Sequence, residues 1–108
     1  MNREKWEVFE YVSESGSCPF QEWLENLKDI KGRAIIRKKI NLLRLGYFSD
    51  SRSLGDGLFE IRIFFGPGYR VYFGKQRKKI VILLWGGKKD SQKRDIKKAQ
   101  RYWKVYSK

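Results

Sequence analysis

The chain has 108 residues, of which 25 are Lys or Arg and 12 are Asp or Glu, so its formal net charge is +13. This length predicts one domain, residues 1–108, and no apolar run approaches the ~20 residues of a membrane-spanning helix. Such a positive charge favours a polyanionic partner, nucleic acid above all. With one cysteine, no histidine and no leader-like N-terminus, we expect a cytoplasmic protein without a metal or cofactor.

The first half of the sequence predicts one strand followed by two helices. The strand covers residues 5–12, and the first helix begins near Pro19, which suits a first helical turn. The second helix runs from about Lys31 to Leu45, with apolar residues at helical spacing on one side. Arg37 and Arg44 lie on its other side and are candidate RNA-binding residues, although such a stripe is more often a solvated face.

A predicted β-hairpin dominates the second half of the chain. Residues 58–65 and 69–73 are rich in β-branched and aromatic side chains, as strands are. The intervening Gly66-Pro67-Gly68 predicts a turn, because glycine allows positive φ and proline presets its own φ. We expect Phe65 to pair with Tyr69 across this three-residue turn, and a short strand at residues 51–54 to precede the hairpin.

The two faces of this hairpin differ in chemistry. Alternation of side chains puts its aliphatic residues on a core face, and puts Arg62, Arg70, Tyr72 and Glu60 on the other, exposed face. Arginine contacts phosphate oxygens at two points, and an exposed tyrosine ring can stack on an unpaired base. The pattern therefore favours RNA binding over the simple solvation that is usual for an exposed arginine.

A second basic region follows the last predicted strand. Residues 80–85 are continuously apolar, which is typical of a strand buried on both faces. They lead into Gly86-Gly87-Lys88-Lys89 and then a helix that begins near Asp90 or Ser91. Small residues let a ligand approach the backbone, and a helix N-terminus favours an anion, although two glycines serve an ordinary turn equally well. Lys93 and Arg94, in the first turn of this helix, are further RNA-binding candidates.

Three strings of the sequence match a known pattern. They are Phe20 to Leu24, Leu58 to Phe73 with Gly-Pro-Gly-Tyr-Arg-Val-Tyr at its centre, and Gly86 to Ala99. Together, over roughly residues 17–104, they resemble the RelE/ParE superfamily of toxins, and most closely its HigB-like branch of addiction module killer proteins. The resemblance implies an α+β fold of the RelE type, with two N-terminal helices packed on a twisted, mainly antiparallel sheet and a C-terminal helix.

The resemblance also implies a function. The chain would be the toxin of a type II toxin–antitoxin system, an mRNA endoribonuclease that works on the ribosome without a metal and inhibits translation. Arg70 matches the arginine of the family's Tyr-Arg-Val-Tyr strand, and Arg62 the basic residue of the preceding strand. Lys89 matches the lysine of the branch's Gly-Gly-Asp-Lys, whereas Lys88 replaces its aspartate and is a further RNA-binding candidate. The predicted catalytic residues are thus Arg62, Arg70 and Lys89, together with Tyr72 on the same hairpin face. The implied partner is an antitoxin, commonly a helix-turn-helix protein, whose contact surface we expect to be acidic.

Several points stay open at this stage. The cleavage would consist of attack by a ribose 2′-hydroxyl on the adjacent phosphate. With no histidine, the general base would be Lys89, Tyr72, Glu60 or an RNA group. Two other functions are a non-enzymatic, ParE-like inhibitor of DNA gyrase and a basic RNA-binding module. The cationic hairpin face favours the ribonuclease over the gyrase inhibitor, which has no need of a phosphate cradle.

Overall fold

A mixed five-stranded sheet forms the centre of the computed structural model, which describes residues 5–107. Within these residues the strand order is β1-β5-β4-β3-β2; β1 runs parallel to β5, and the other neighbours are antiparallel. The predicted α+β class is thus confirmed. The elements are β1 (Glu7–Glu10), α1 (Pro19–Glu25), α2 (Ile30–Arg44), β2 (Ser51–Gly55), β3 (Leu58–Ile63), β4 (Tyr69–Gln76), β5 (Ile80–Lys88), a 3₁₀ turn (Lys89–Ser91) and α3 (Gln92–Tyr106).

Helices cover both faces of the sheet. Buried residues of α1 and α2, such as Phe20 and Ile36, pack in one cluster with Val71 and Phe73 of β4. On the opposite face, α3 packs its Ala99 and Trp103 in a second cluster with strand residues. None of the helices in the described part of the chain combines the length and apolar character that crossing a bilayer requires.

The predicted element positions hold, with differences at the ends. The first strand is shorter than residues 5–12. Strand β5 is longer than predicted, because Gly86, Gly87 and Lys88 continue to pair with β4 up to Tyr69. The start of α2 is fixed by Asp29, whose side chain accepts a hydrogen bond from the Gly32 amide at 2.8 Å. The predicted short strand before the hairpin is present as β2.

The predicted hairpin register is wrong by two residues. Tyr69 pairs with Ile63 rather than with Phe65, and Arg70 pairs directly with Arg62. The connection therefore spans residues 64–68, with Gly66 at φ 57° and Gly68 at φ 79°. The Gly68 amide donates to the Phe65 carbonyl at 3.1 Å within this five-residue connection, which is two residues longer than expected. An even shift keeps every side chain on its predicted face.

The expectation that the polar hairpin face is exposed holds for Arg62 and is wrong for its neighbours. Helix α3 lies across this face, so Glu60 and Tyr72 are fully buried and Arg70 is 6% exposed. Gly74 makes the close approach possible, since a Cβ there would overlap the Trp103 ring. The surface that remains open is the end of the hairpin next to its turn.

Candidate functional site

A cationic cleft of about 400 Å³ lies beside the turn between β3 and β4. Its basic lining residues are Arg62, Arg70 and Lys89, three of the four predicted catalytic residues. The β3–β4 pairing sets the two arginines opposite each other. Because Lys88 pairs with Tyr69, Lys89 emerges beside the turn, where a Cβ on Gly68 would lie 3.5 Å from the Lys89 Cβ and 3.7 Å from Arg70 Nη1.

Arg70 forms the inner wall of the cleft and is held from two sides. Its Nη1 donates to the Gly68 carbonyl at 3.2 Å, and its Nε lies 3.7 Å from Glu60 Oε2. That distance is an ion pair without a hydrogen bond, and the buried Nε has no hydrogen-bond partner among the described residues. The guanidinium is therefore positioned while part of its donor capacity is unused.

Glu60 is the buried counter-charge behind Arg70. Its carboxylate accepts hydrogen bonds from Arg52 Nε and Gln92 Nε2, both at 2.8 Å. Burial by itself would raise the pKa of Glu60, but the hydrogen bonds from Arg52 and Gln92 together with the Arg52 charge lower it below its usual value. Glu60 thus stays ionised at neutral pH, and its two close donors leave Arg70 only loosely paired.

Arg62 and Phe64 form the outer, exposed wall. The Arg62 guanidinium carbon lies 5.4 Å from the centroid of the Phe64 ring, and Phe64 is 72% exposed. An exposed aromatic ring beside cations suits the stacking of an unpaired base. Phe64 was not among the predicted site residues. The feature that could have identified it is the consecutive apolar run Ile63-Phe64-Phe65. Side chains alternate between the two faces of a strand, so one buried face cannot hold all three.

Tyr72 does not reach the cleft. It is fully buried beneath α3, and its hydroxyl makes no hydrogen bond of ordinary geometry within residues 5–107. Burial first, and then the nearby charges of Glu60 and Asp95, raise the pKa of Tyr72 well above its usual value. The expected exposed position of this ring, from which it would stack on a base, is therefore wrong.

The predicted RNA-binding residues fall into two groups. Lys93 and Arg94 line a depression of about 300 Å³ at the start of α3, which Lys89 also lines, so they are neighbours of the cleft. Lys88 lines a second groove, which Arg94 also lines. Arg37 and Arg44, in contrast, line a separate cleft with residues of α1 and β5, and α2 packs on the opposite face of the sheet. The structure does not bring those two arginines to the cationic cleft.

No group of three or more His, Cys, Asp or Glu side chains in residues 5–107 is arranged to hold a metal ion. Asp50 pairs with Lys39 at 3.0 Å, and Glu60 is enclosed by its own hydrogen-bond donors.

Fold and site together define a small, strongly basic α+β protein with a cationic cleft at the end of a β-hairpin. No family model matches the chain. A protein of Haemophilus influenzae (strain ATCC 51907 / DSM 11121 / KW20 / Rd), described as an uncharacterized protein, is 47% identical over 81 residues, which cover 75% of this chain and 82% of the relative. The chain belongs to the same family as that protein.

Proposed function

We propose that this protein is the toxin of a type II toxin–antitoxin system, with a fold of the RelE type, and that it cleaves mRNA on the ribosome. The observation that carries the proposal is the convergence of Arg62, Arg70 and Lys89 on one cleft. Three cations from three separate segments meet there, no carboxylate is among the cleft's lining residues, and Glu60, which pairs with Arg70, is buried behind it. Such a cleft suits a phosphodiester whose charge increases during reaction.

The proposed reaction needs no redox partner. The 2′-oxygen of a ribose attacks the adjacent phosphorus and loses its proton to a base, and the bond from phosphorus to the 5′-oxygen breaks. The departing 5′-oxygen takes up a proton, which leaves a 2′,3′-cyclic phosphate and a 5′-hydroxyl. Arg70, fixed by its contacts, stabilises the negative charge on the phosphate oxygens without having to reorganise. Arg62 and Lys89, which are exposed, complete the contact with the backbone.

The choice of general base narrows to Lys89 or an RNA group. Tyr72 and Glu60 are fully buried and do not line the cleft, so neither meets an RNA hydroxyl there. A cleft with cations and no carboxylate or imidazole base depends on RNA that arrives already positioned. This dependence agrees with an enzyme that acts on the ribosome, where ribosomal RNA supplies geometry.

The proposed partners follow from the charge. A protein with a net charge of +13 is attracted to ribosomal RNA and mRNA in the cytoplasm. Its antitoxin, which we propose to be a helix-turn-helix protein, would contact it through an acidic surface. Their affinity should then fall as salt rises, because exposed charge pairs are screened.

Two observations favour a second candidate, an RNA-binding module that does not cleave. The sequence has no histidine, and the tyrosine proposed as a base is enclosed. A cationic cleft of this kind can hold a phosphate without promoting its cleavage. No observation in the described residues favours inhibition of gyrase.

The decisive experiment adds purified protein to a translating extract and maps mRNA 5′ ends. We expect cuts at codon spacing with the wild type, and a loss of rate of ~10²–10³ for Arg70→Ala, since one charge contact to a transition state is removed. Arg77→Ala is the matched control, because Arg77 is exposed on the turn at the other end of β4. Intact mRNA with the wild type, despite RNA binding, would instead establish the RNA-binding module.

A further inference from the structure

We propose that single-stranded RNA leaves the cationic cleft along a continuous basic path around the start of α3, and that it ends in a second binding site, the tryptophan groove between α1 and α3. This inference rests on the proposed RNA substrate, but it concerns binding and not cleavage. The tryptophan groove has a volume of about 560 Å³ and is lined by Trp23, Trp85, Gly86 and Gly87, among others.

The rim of the tryptophan groove is almost entirely cationic. One acidic residue lines it, Asp95, and that carboxylate is already occupied, since it accepts hydrogen bonds from Trp85 Nε1 at 2.9 Å and from Ser91 Oγ. Asp95 is also 8% exposed, so little of its surface is open to the groove. Five basic side chains line the groove: Lys88, Arg94, Lys97, Lys98 and Arg101.

Shared lining residues connect this groove to the cleft. Lys89 lines both the cleft and the depression at the start of α3. Ser91 and Arg94 line both that depression and the tryptophan groove. The three concave regions therefore adjoin one another, and basic residues occur in each of them. The depression also contains the exposed Asp90, next to Lys89, Lys93 and Arg94, so an extended anionic chain that follows this path meets three cations and one carboxylate there.

The floor of the tryptophan groove suits a nucleobase. Gly86 and Gly87 contribute no side chains, and a Cβ on Gly86 would overlap the Trp23 ring, which packs directly on the backbone. Both tryptophans are partly exposed. The Lys98 ammonium lies over the Trp85 ring, 4.1 Å from its centroid, so a cation is already next to one of the two aromatic rings. Aromatic rings combined with cations are typical of single-strand binding, whereas an acidic peptide would use the cations alone.

The test measures the salt dependence of binding to a labelled 12-nucleotide single-stranded RNA by fluorescence anisotropy, without ribosomes. The variant Lys97→Ala/Arg101→Ala removes two rim charges, and Lys38→Ala/Arg77→Ala removes two exposed charges elsewhere. For single strands each lost phosphate contact reduces the slope of log K against log salt by ~0.7. We expect the rim variant to lower the slope by about 1.4 and the affinity by about 25-fold at 0.1 M salt. The control should match the wild type.

Two further probes identify the occupant. Loss of one stacked base costs about 1–3 kcal/mol, or 5- to 150-fold, so an abasic strand should bind the wild type correspondingly more weakly. Equal binding of abasic RNA, equal binding of polyglutamate of the same charge, or an unchanged slope in the rim variant would each overturn the tryptophan groove as an RNA site. If the slope shifts as expected but the extract shows no cleavage, the RNA path stands and the nuclease does not. If cleavage needs Arg70 but the rim variant behaves like the control, the nuclease stands and the RNA path does not.

Discussion

Replacing Glu60 by glutamine tests the central electrostatic argument, because this buried carboxylate connects Arg52, Gln92 and Arg70. An amide of the same shape has one acceptor and one donor group, so it keeps the hydrogen bond from Arg52 Nε and a bond with Gln92 only if the Gln92 amide turns over to accept, and the carboxylate charge is lost in either case. A lost hydrogen bond to a charged group costs about 1.5–3 kcal/mol, and Arg70 loses its counter-charge as well. We expect a total of about 3 kcal/mol, the low end for a broken buried pair, since the Arg52 side chain is 55% exposed.

The pH dependence of that loss has a definite sign. The pKa of Glu60 is lowered in the folded protein, so its stabilisation is present above the unfolded pKa of about 4.3 and is lost as pH falls through the folded pKa. The stability gap between wild type and Glu60→Gln, from urea unfolding, should be full at pH 7 and should shrink under acid. Glu14→Gln, an exposed change of the same charge, should stay within about 0.5 kcal/mol of the wild type. A gap that is equal at pH 7 and pH 3.5 would refute the reasoning.

Three other predictions address the packing of the hairpin. Gly74→Ala forces its new methyl group into the Trp103 ring and should cost about 1–3 kcal/mol in urea unfolding; wild-type stability would mean that α3 is not seated on β4. Tyr72→Phe removes a buried hydroxyl whose contact with Glu60 falls short of ordinary hydrogen-bond geometry, so stability should change by less than about 1 kcal/mol and mRNA cleavage should persist; loss of cleavage with the fold intact would restore Tyr72 as a catalytic candidate. Burial and the hydrogen bond to Asp29 raise the pKa of Tyr69 to about 12, so the stability that its hydroxyl provides is present below the unfolded pKa of about 10 and is lost as pH rises through the folded value. The stability gap between wild type and Tyr69→Phe should therefore narrow between pH 10 and 12, and a gap that widens would contradict this.

The face of each hairpin residue was predictable, whereas the register was not. Alternation alone assigned Arg62 and Arg70 to one side of the ribbon, and the structure confirms this. The length of the turn depends on local hydrogen bonds of Phe65 and Gly68, which several glycine–proline spacings would permit. A shift by two residues is compatible with the same hydrophobic pattern, so the sequence pattern could not distinguish the two pairings.

Burial of the polar face was missed for a different reason. The hairpin pattern of one apolar and one polar face is typical of a sheet with one solvated side. Here α3 covers the polar side with a narrow apolar stripe, and the buried Glu60 and Tyr72 beneath it look like surface residues in the sequence. The contacts of Gly74 with Trp103 and of Gly87 with Asp95 show how close the helix comes, and the first of them joins positions far apart in the chain.

This cover gives α3 two effects on the cleft. It removes Glu60 from solvent, so this carboxylate stays ionised beside Arg70. Buried there, Glu60 cannot compete with RNA for the exposed cations of the cleft. Through the 3₁₀ turn at its start, it also sets Lys89 beside Gly68, so that a strand end and a helix start supply the third cation. The cleft therefore depends on the docking of α3, and Gly74→Ala should impair cleavage as well as stability even though Gly74 does not line the cleft. Cleavage at the wild-type rate by a variant whose helix has been displaced would separate the two effects and remove α3 from the mechanism.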